Sequence, residues 1–526
     1  MAKNIVICSD GTGNTTITGR GTNVFKLFEA IDLNGHRWDP TEKPQVAFYD
    51  DGVGSQNFKP LRLLGGAAGW GLSENVRQLY KELARIYDHN DQIYVFGFSR
   101  GAFTVRTLVG FIATCGLVDP KQSATASAFD ALVKKAYAAY RQCYRTPLAK
   151  VLLGDPGRNV GEQFKQKYSR KEETRIRFVG VWDTVDAVGL PFHLSDVINQ
   201  AIHRFKFPDP YLSTCVDTAC HALCVDDERA SFAPVVWNES RLGDRIEQVW
   251  FPGVHSNVGG GYPKQGLSLI ALDWMMARAE QCGLRFNEFD RSLYRDHLSV
   301  DDKLYDPRTG LGAFYRWKPR DIAGICAAHA MTPKIHVSLI ERIAHGADNY
   351  APANLPGKIK VVTTPPAAGQ NSLLIDQRAA NVEKVVNGMF AGEQTLLASL
   401  GGTVALGRFS YYLFVATCVG VALAVLWGSV PVHRPWPLLV GAGKLTGGLL
   451  SSPFDTLANA VRTLLAMPFT TIGLLLGFLL SSILSRVSDR RMSDAASSLW
   501  YRHQEELRDA LKVAREQSST HHRIRT

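Results

Sequence analysis

Cysteine is scarce in this chain, nine residues in 526, and the number is odd. Cys8, Cys115 and Cys418 sit among apolar neighbours, which argues against a disulfide framework and for reduced thiols in a cytosolic compartment. Zinc-type spacing is lacking as well. Cys215, Cys220 and Cys224 surround His221, but the intervals fit no zinc pattern, and the stretch reads as small hydrophobes along a helix. Neither a metal nor a cofactor is expected. There is no signal-peptide pattern, because Met1-Ala2-Lys3-Asn4 runs straight into the strand-like Ile5-Val6-Ile7-Cys8, so export by the general secretory route is not expected. Internal repeats are missing too. The glycine-bearing SDGTGN at 9–14 is followed by no Lys-Ser/Thr, which excludes a P-loop.

Charge is absent from two long runs, Tyr411–Trp427 and Leu464–Leu484. The second has about 21 residues, enough to cross a hydrocarbon core of roughly 30 Å, and the first reaches that length only with its neighbours. Neither run carries the polar stripe of a buried core helix. A membrane hairpin is therefore expected over residues 401–485, with spans at about 411–431 and 464–484. Re-entrant or interfacial helices are the competing reading, since Pro431, Pro435 and Pro437 follow the first run. Arg408 precedes the first run, Arg486, Arg490 and Arg491 follow the second, and the connection holds Arg434, Lys444 and Arg462. This bias weakly favours cytoplasmic ends.

Elsewhere, 45% hydrophobic and 21% charged residues describe a globular protein. Much of the net charge of +10 lies after the hairpin, in Arg502, Arg508, Lys512, Arg515, Arg523 and Arg525 as well as the flanking arginines. Such a tail suits anionic lipid or nucleic acid, and its place beside the apolar runs favours lipid. No nucleic-acid partner is expected. Residues 486–526 read as a basic helical tail.

The first half alternates strand-like and helix-like segments. Asn4–Ser9, Gln45–Tyr49, Gln92–Phe96 and Ile176–Trp182 are apolar runs, Gln248–Phe251 is a fifth, and Lys334–Ile340 is a late candidate. Ser73–Tyr87 and Ala102–Cys115 have helical character. Each of the first five runs ends in a loop bearing Gly or Asp. This order predicts an α/β, doubly wound, mostly parallel sheet, with ligands beyond the carboxyl ends of the strands.

One such loop is Gly97-Phe98-Ser99-Arg100-Gly101, a G-x-S-x-G between a strand and a helix. That is the context of a nucleophile elbow, where small residues two before and two after the serine let backbones pack closely. Ser99 is the candidate nucleophile, and the backbone N–H of Arg100 is one oxyanion donor. A serine needs a base and the base an orienting acid, in the order Ser, Asp or Glu, His on this fold. His255 lies just past a strand end in WFPGVHSNVGGGY. Asp183 directly follows RFVGVW, with Asp186 as the alternative acid and Asp226, Asp227 and Glu228 as a more distant acidic cluster. The first loop supplies the second oxyanion donor, from Gly11 or Thr12.

These stretches together (CSDGTGN, GFSRGAFTVR, VGVWDTVDAVG, DDERASFAPVVW and WFPGVHSNVGGGY) closely resemble the catalytic domain of type VI secretion phospholipase effectors, an α/β-hydrolase family. The resemblance covers roughly residues 1–285, and IHVSLIERI and YAPANLP extend it. It implies a Ser99–Asp183–His255 triad, lipid ester hydrolysis of the phospholipase A kind, and an immunity or secretion-system protein as partner. The chain departs from secreted effectors in its apolar hairpin.

The expected organisation is a hydrolase domain at 1–290, an accessory region at 291–400, the hairpin and the tail. Membrane lipid serves as substrate and anchor, with the hydrolase domain on the cytoplasmic side of a bacterial inner membrane; export as an effector is the other localisation left open. Two rival readings stand beside it: a tethered esterase or thioesterase for soluble substrates, and a catalytically silent module that binds membrane or secretion machinery. LRLLGGAAGWGL at 61–72 reads as a lid or an acyl-chain groove.

Overall fold

The computed structural model describes residues 2–11, 21–51, 68–144, 159–186, 210–241, 243–309, 313–366, 372–390, 396–428 and 453–512. Two compact units divide the chain. One comprises Met1–Tyr315, Pro319–Leu396 and Ser497–Thr526, the other Arg316–Lys318 and Leu397–Ala496.

The first unit is built on eight parallel strands: β1 (Asn4–Ser9), β2 (Gln45–Asp50), β3 (Gln92–Phe98), β4 (Ile176–Trp182), β5 (Val216–Cys224), β6 (Ile246–Phe251), β7 (Lys334–His336) and β8 (Lys360–Val362). Their order in the sheet is β2-β1-β3-β4-β5-β6-β7-β8. The chain steps outward from β1 to β2, then returns to the other side of β1 with β3. The order reverses there, and the crevice beyond the carboxyl ends of β1 and β3 is where such sheets bind ligands.

All six residues of β1 are buried, as a strand covered on both faces requires. One apolar core lies under the helices Ala68–Ile86, Arg100–Cys115, Ala126–Cys143 and Asn159–Tyr168, and joins Ile5, Ile93, Val95, Val105, Phe111 and Val179. The opposite core gathers Val6, Phe96, Phe98, Trp182, Phe251 and Trp274 beneath Asn23–Glu29 and Gly266–Gln281.

Two local expectations are corrected. Cys215 to Cys224 is not helical: Val216–Cys224 is the central strand β5. Its length and lack of Gly or Pro left helix and strand indistinguishable, because a strand buried on both faces loses the two-residue alternation. The late strand is also shorter than Lys334–Ile340. After His336 the chain turns into the helix Val337–His345, closed by Gly346 at φ 72°. Val337, Ile340, Ile343 and Ala344 recur at helical spacing on the buried face.

The second unit holds the apolar helix Gly401–Gly428 and the helix Pro468–Arg502 as far as Ala496. By length and composition both can cross a membrane. They pack antiparallel. Ser410 Oγ donates to Ser481 O at 2.8 Å and Ser481 Oγ returns a bond to Ser410 O at 3.0 Å, while Ser488 Oγ reaches Thr403 O at 2.9 Å. Gly477 lies where a Cβ would come within 2.6 Å of Thr417. Small residues and hydroxyls at a close helix contact are the devices that hold helices together in lipid. Leu475, Leu476, Leu479 and Leu480 point outward. In the first unit, Trp500 is buried and donates to Pro352 O at 2.9 Å, and Arg508 Nε donates to Ala344 O at 2.7 Å. The connection 429–452, the tail from 513 and residues 61–67 of the glycine-leucine stretch lie outside the described residues.

Candidate active site

Ser99 sits at the end of β3, at the head of the helix Arg100–Cys115, with φ 58° and ψ −121°. This conformation is costly for a residue with a Cβ and persists only where the surroundings impose it. The two glycines of the motif show what imposes it. A Cβ on Gly97 would lie 2.7 Å from the backbone of Ala102, and one on Gly101 would lie 2.1 Å from Ser9 O and 2.5 Å from Asp10 O. The turn is therefore pressed against the end of β1, and Ser99 N is held by Trp182 O at 3.1 Å.

His255 opens the short helix His255–Gly259 after β6. Its Nε2 stands 2.8 Å from Ser99 Oγ, and its Nδ1 stands 2.6 Å from Asp183 Oδ2. The bond from Nδ1 to a carboxylate leaves Nε2 free to accept from the serine hydroxyl. The ring is packed between Phe98, 4.6 Å away, and Phe232, edge-on at 5.0 Å. Burial lowers the His255 pKa, and the hydrogen bond and charge of Asp183 work against that.

Asp183 follows β4 and is fully buried. Burial alone would raise its pKa, but Arg320 and His255 hold its carboxyl well below the usual carboxylate range. Arg320 donates from Nη1 to Oδ1 at 2.7 Å and from Nη2 to Oδ2 at 2.9 Å. Cys224 contributes its backbone N–H at 3.1 Å and its thiol at 3.3 Å. The carboxylate on the imidazole is that of Asp183; Asp186 is half-buried farther along the same loop.

The distant acidic cluster braces the histidine loop. Asp227 Oδ2 accepts from His255 N at 3.2 Å and is paired with Arg229 at 2.6 Å. Asp226 accepts from Gly253 N at 2.6 Å and Tyr350 Oη at 2.8 Å. Gly253, at φ 110°, makes the turn that brings His255 over the sheet. Burial raises the Asp226 pKa to about 6. His221, on β5, accepts from Thr184 N at 3.1 Å through Nε2, and burial lowers its pKa to about 3. It supports the Asp183 turn from below.

Of the expected oxyanion donors, the Arg100 N–H belongs to the first turn of its helix, where no intrahelical acceptor exists. Gly11 N–H is engaged otherwise: it donates to Asp10 Oδ1 at 2.6 Å. Asp10 also accepts from Thr22 Oγ1 at 2.5 Å and Tyr49 Oη at 2.6 Å. Thr12 lies outside the described residues. Sequence reasoning missed Arg320 altogether. It stands in RWKPRDI, beyond the recognisable motifs, and no local pattern marks it.

A family described as "T6SS, Phospholipase effector Tle1-like, catalytic domain" matches residues 3–278, more than half of the 526 residues. Uncharacterized protein YEL023C of Saccharomyces cerevisiae is 29% identical over 243 residues, covering 44% of this chain and 32% of the yeast protein. The chain thus matches about a third of that relative's length. A solved structure of the Tle1 effector bound to the VgrG spike from the type 6 secretion system aligns at 15% identity and a TM-score of 0.32, over 63% of this chain and 81% of that one.

Proposed function

The chain belongs to the Tle1-like phospholipase effector catalytic family, and from that premise we propose that it is a membrane-anchored serine hydrolase that cleaves carboxylic esters of phospholipids through an acyl-enzyme. The observation that carries the mechanism is the continuous chain Ser99 Oγ, His255 Nε2, His255 Nδ1, Asp183 Oδ2, with links of 2.8 and 2.6 Å. His255 takes the Ser99 proton as Oγ attacks the ester carbonyl. Asp183 keeps the imidazole in the tautomer that accepts at Nε2 and stabilises the imidazolium that forms. The negative oxygen of the tetrahedral intermediate meets the N–H of Arg100 and the positive end of the Arg100–Cys115 helix. His255 then protonates the departing alcohol, and water activated by the same base releases the fatty acid.

The family and the two apolar helices support lipid as substrate and anchor. Both apolar helices carry leucine-rich outward faces, and Arg408 and Arg486 border their apolar lengths. A site tethered to a bilayer meets lipid esters at high local concentration. The hydrolase domain faces the cytoplasmic side of a bacterial inner membrane in this reading, and a secretion-system or immunity protein is the partner the family suggests.

The test uses detergent-solubilised full-length protein on phospholipid vesicles and on short p-nitrophenyl esters. Fatty acid release from vesicles that disappears in Ser99→Ala supports the proposal. Activity confined to the short esters makes the chain a tethered esterase. A cellular phenotype that survives Ser99→Ala unchanged assigns the role to binding alone.

A further inference from the structure

Arg320 lies beyond residue 278, where the family match ends, and enters the site from the turn before the helix Ile322–Ala328. Its guanidinium is buried. The two nitrogens that hold the Asp183 oxygens also donate to Cys224 O and Phe232 O, each at 2.7 Å. Those carbonyls tie it to the end of β5 and to the turn whose Phe232 ring packs edge-on against His255.

We propose that Arg320 is a positioning residue for the hydrolytic reaction, keeping Asp183 ionised and fixing both of its oxygens so that Oδ2 orders the His255 imidazole toward Ser99. A carboxylate enclosed this completely is stable as an anion only with a matched cation, and the planar fork of arginine meets both oxygens at once. The residues after 290 therefore do more than complete the sheet: they carry the charge that makes the acid serviceable. This role rests on the reading of Ser99, His255 and Asp183 as a triad.

The charged surroundings fix the sign of the test. Around Asp183 stand Arg320, His255 and the Cys224 thiol. Asp227 and Arg229 pair with each other beside His255. Asp226 is bonded to Gly253 and Tyr350, and His221 to Thr184 and Gln248. Neutralising Arg320 leaves two outcomes. Asp183 keeps its charge, and His255 then takes a proton more readily; or Asp183 itself takes the proton. Either way the competent state, anionic acid with neutral base, is lost at a higher pH than before.

The experiment follows the rate of fluorophosphonate labelling of full-length protein in detergent between about pH 5 and pH 9, the range in which a histidine base shows itself. In labelling, Ser99 Oγ bonds to phosphorus, fluoride leaves and the hydroxyl proton passes to the base, so no lipid need be known. Wild type, Arg320→Met, Arg320→Gln and Arg320→Lys are compared, with Ser99→Ala as the blank and thermal unfolding as the folding control. The acid limb of the Met and Gln variants should move up by about one pH unit or more, with a rate about fivefold slower or more at the wild-type midpoint. The Lys variant should keep the wild-type limb. If Met does not fold, Gln, which retains an amide donor for Asp183, decides. Folded neutral variants whose limb stays in place overturn the proposal, even if their rate falls equally at every pH, because that is the mark of a structural residue. Wild type that is not labelled, or labelling that persists in Ser99→Ala, overturns the triad reading and this role with it.

Discussion

Replacing Gly101 by alanine adds one methyl group and tests the turn that presents Ser99. The new Cβ would stand 2.1 Å from Ser9 O and 2.5 Å from Asp10 O, about 1 Å inside any tolerable contact. Both neighbours are backbone, and both are anchored. Ser9 is the last residue of β1, paired to β2 and β3, and Asp10 N donates to Asp50 O at 2.9 Å. Neither can swing aside as a side chain would, so the helix Arg100–Cys115 must lift from the sheet. Overpacking of this kind costs about 1–3 kcal/mol, and a backbone clash belongs at the upper end. For a domain of this size, with an unfolding entropy of about 2.1 cal/mol/K per residue, about 3 kcal/mol is a fall of roughly 3–4 °C in Tm. The lift also moves Ser99 relative to His255, and a displacement near 1 Å costs on the order of a hundredfold in rate. An internal control is available. A Cβ on Gly388, near the end of the helix Ser372–Met389, meets nothing within 4 Å, so alanine there should be neutral or stabilising by up to about 1 kcal/mol. Thermal unfolding and fluorophosphonate labelling of both variants decide. If Gly101→Ala melts within about a degree of wild type and labels at the wild-type rate, then the elbow is not pressed on β1 and the strained backbone of Ser99 is not imposed by that contact.

Three further outcomes are expected. Asp183→Asn strands the Arg320 guanidinium without its counter-charge, which should cost about 3–5 kcal/mol of stability and lower kcat by about ten-thousandfold. Because the folded carboxyl is held below the usual range, its contribution is complete above the unfolded pKa, so the stability gap to wild type should be flat at neutral pH and narrow only below about pH 4; a gap that closes near neutrality contradicts the ion pair. Asp226 has the opposite sign. Its carboxyl is raised to about 6 by burial, so the folded state binds the extra proton and wild type should lose stability as pH rises from about 4 to about 6, by about 3 kcal/mol; Tm measured against pH should show that slope missing in Asp226→Asn. Finally, the double change Leu476→Arg and Leu479→Arg places two charges on an outward apolar face at about 2.5–3.5 kcal/mol each in a bilayer centre, and should move the protein from carbonate-washed membranes into the soluble or aggregated fraction. Unchanged membrane retention would remove that helix as the anchor.

Much of this fold is legible in the chain because its signals are local. Ile5-Val6-Ile7-Cys8 and Ile93-Tyr94-Val95-Phe96 are apolar without interruption, as strands covered on both faces must be, and each ends at a glycine or aspartate where the chain turns. The bounds of β1 and β4 coincide with the runs in the sequence. β5 escaped because the same lack of alternation, without flanking glycine or proline, suits a buried helix equally well. The apolar hairpin helices were visible in composition alone, whereas the serine hydroxyls and glycines that join them become meaningful only once Ser410 is opposite Ser481.

The sequence by itself determined that Ser99, Asp183 and His255 each stand in a loop after an apolar run, since strand ends and glycine turns are written in neighbouring residues. Only the tertiary structure decided which groups meet. It brings residues 99, 183 and 255 within hydrogen-bond reach of one another, turns Asp226 and Asp227 into braces of the histidine loop, and occupies the Gly11 N–H with Asp10. It also carries Arg320 across 137 positions of sequence to the Asp183 carboxylate. The physical reason is the parallel sheet. Its strands bring their carboxyl ends to one edge whatever their separation in the chain, and a charge buried at that edge must find its partner in space, where the sequence leaves no mark of the pairing.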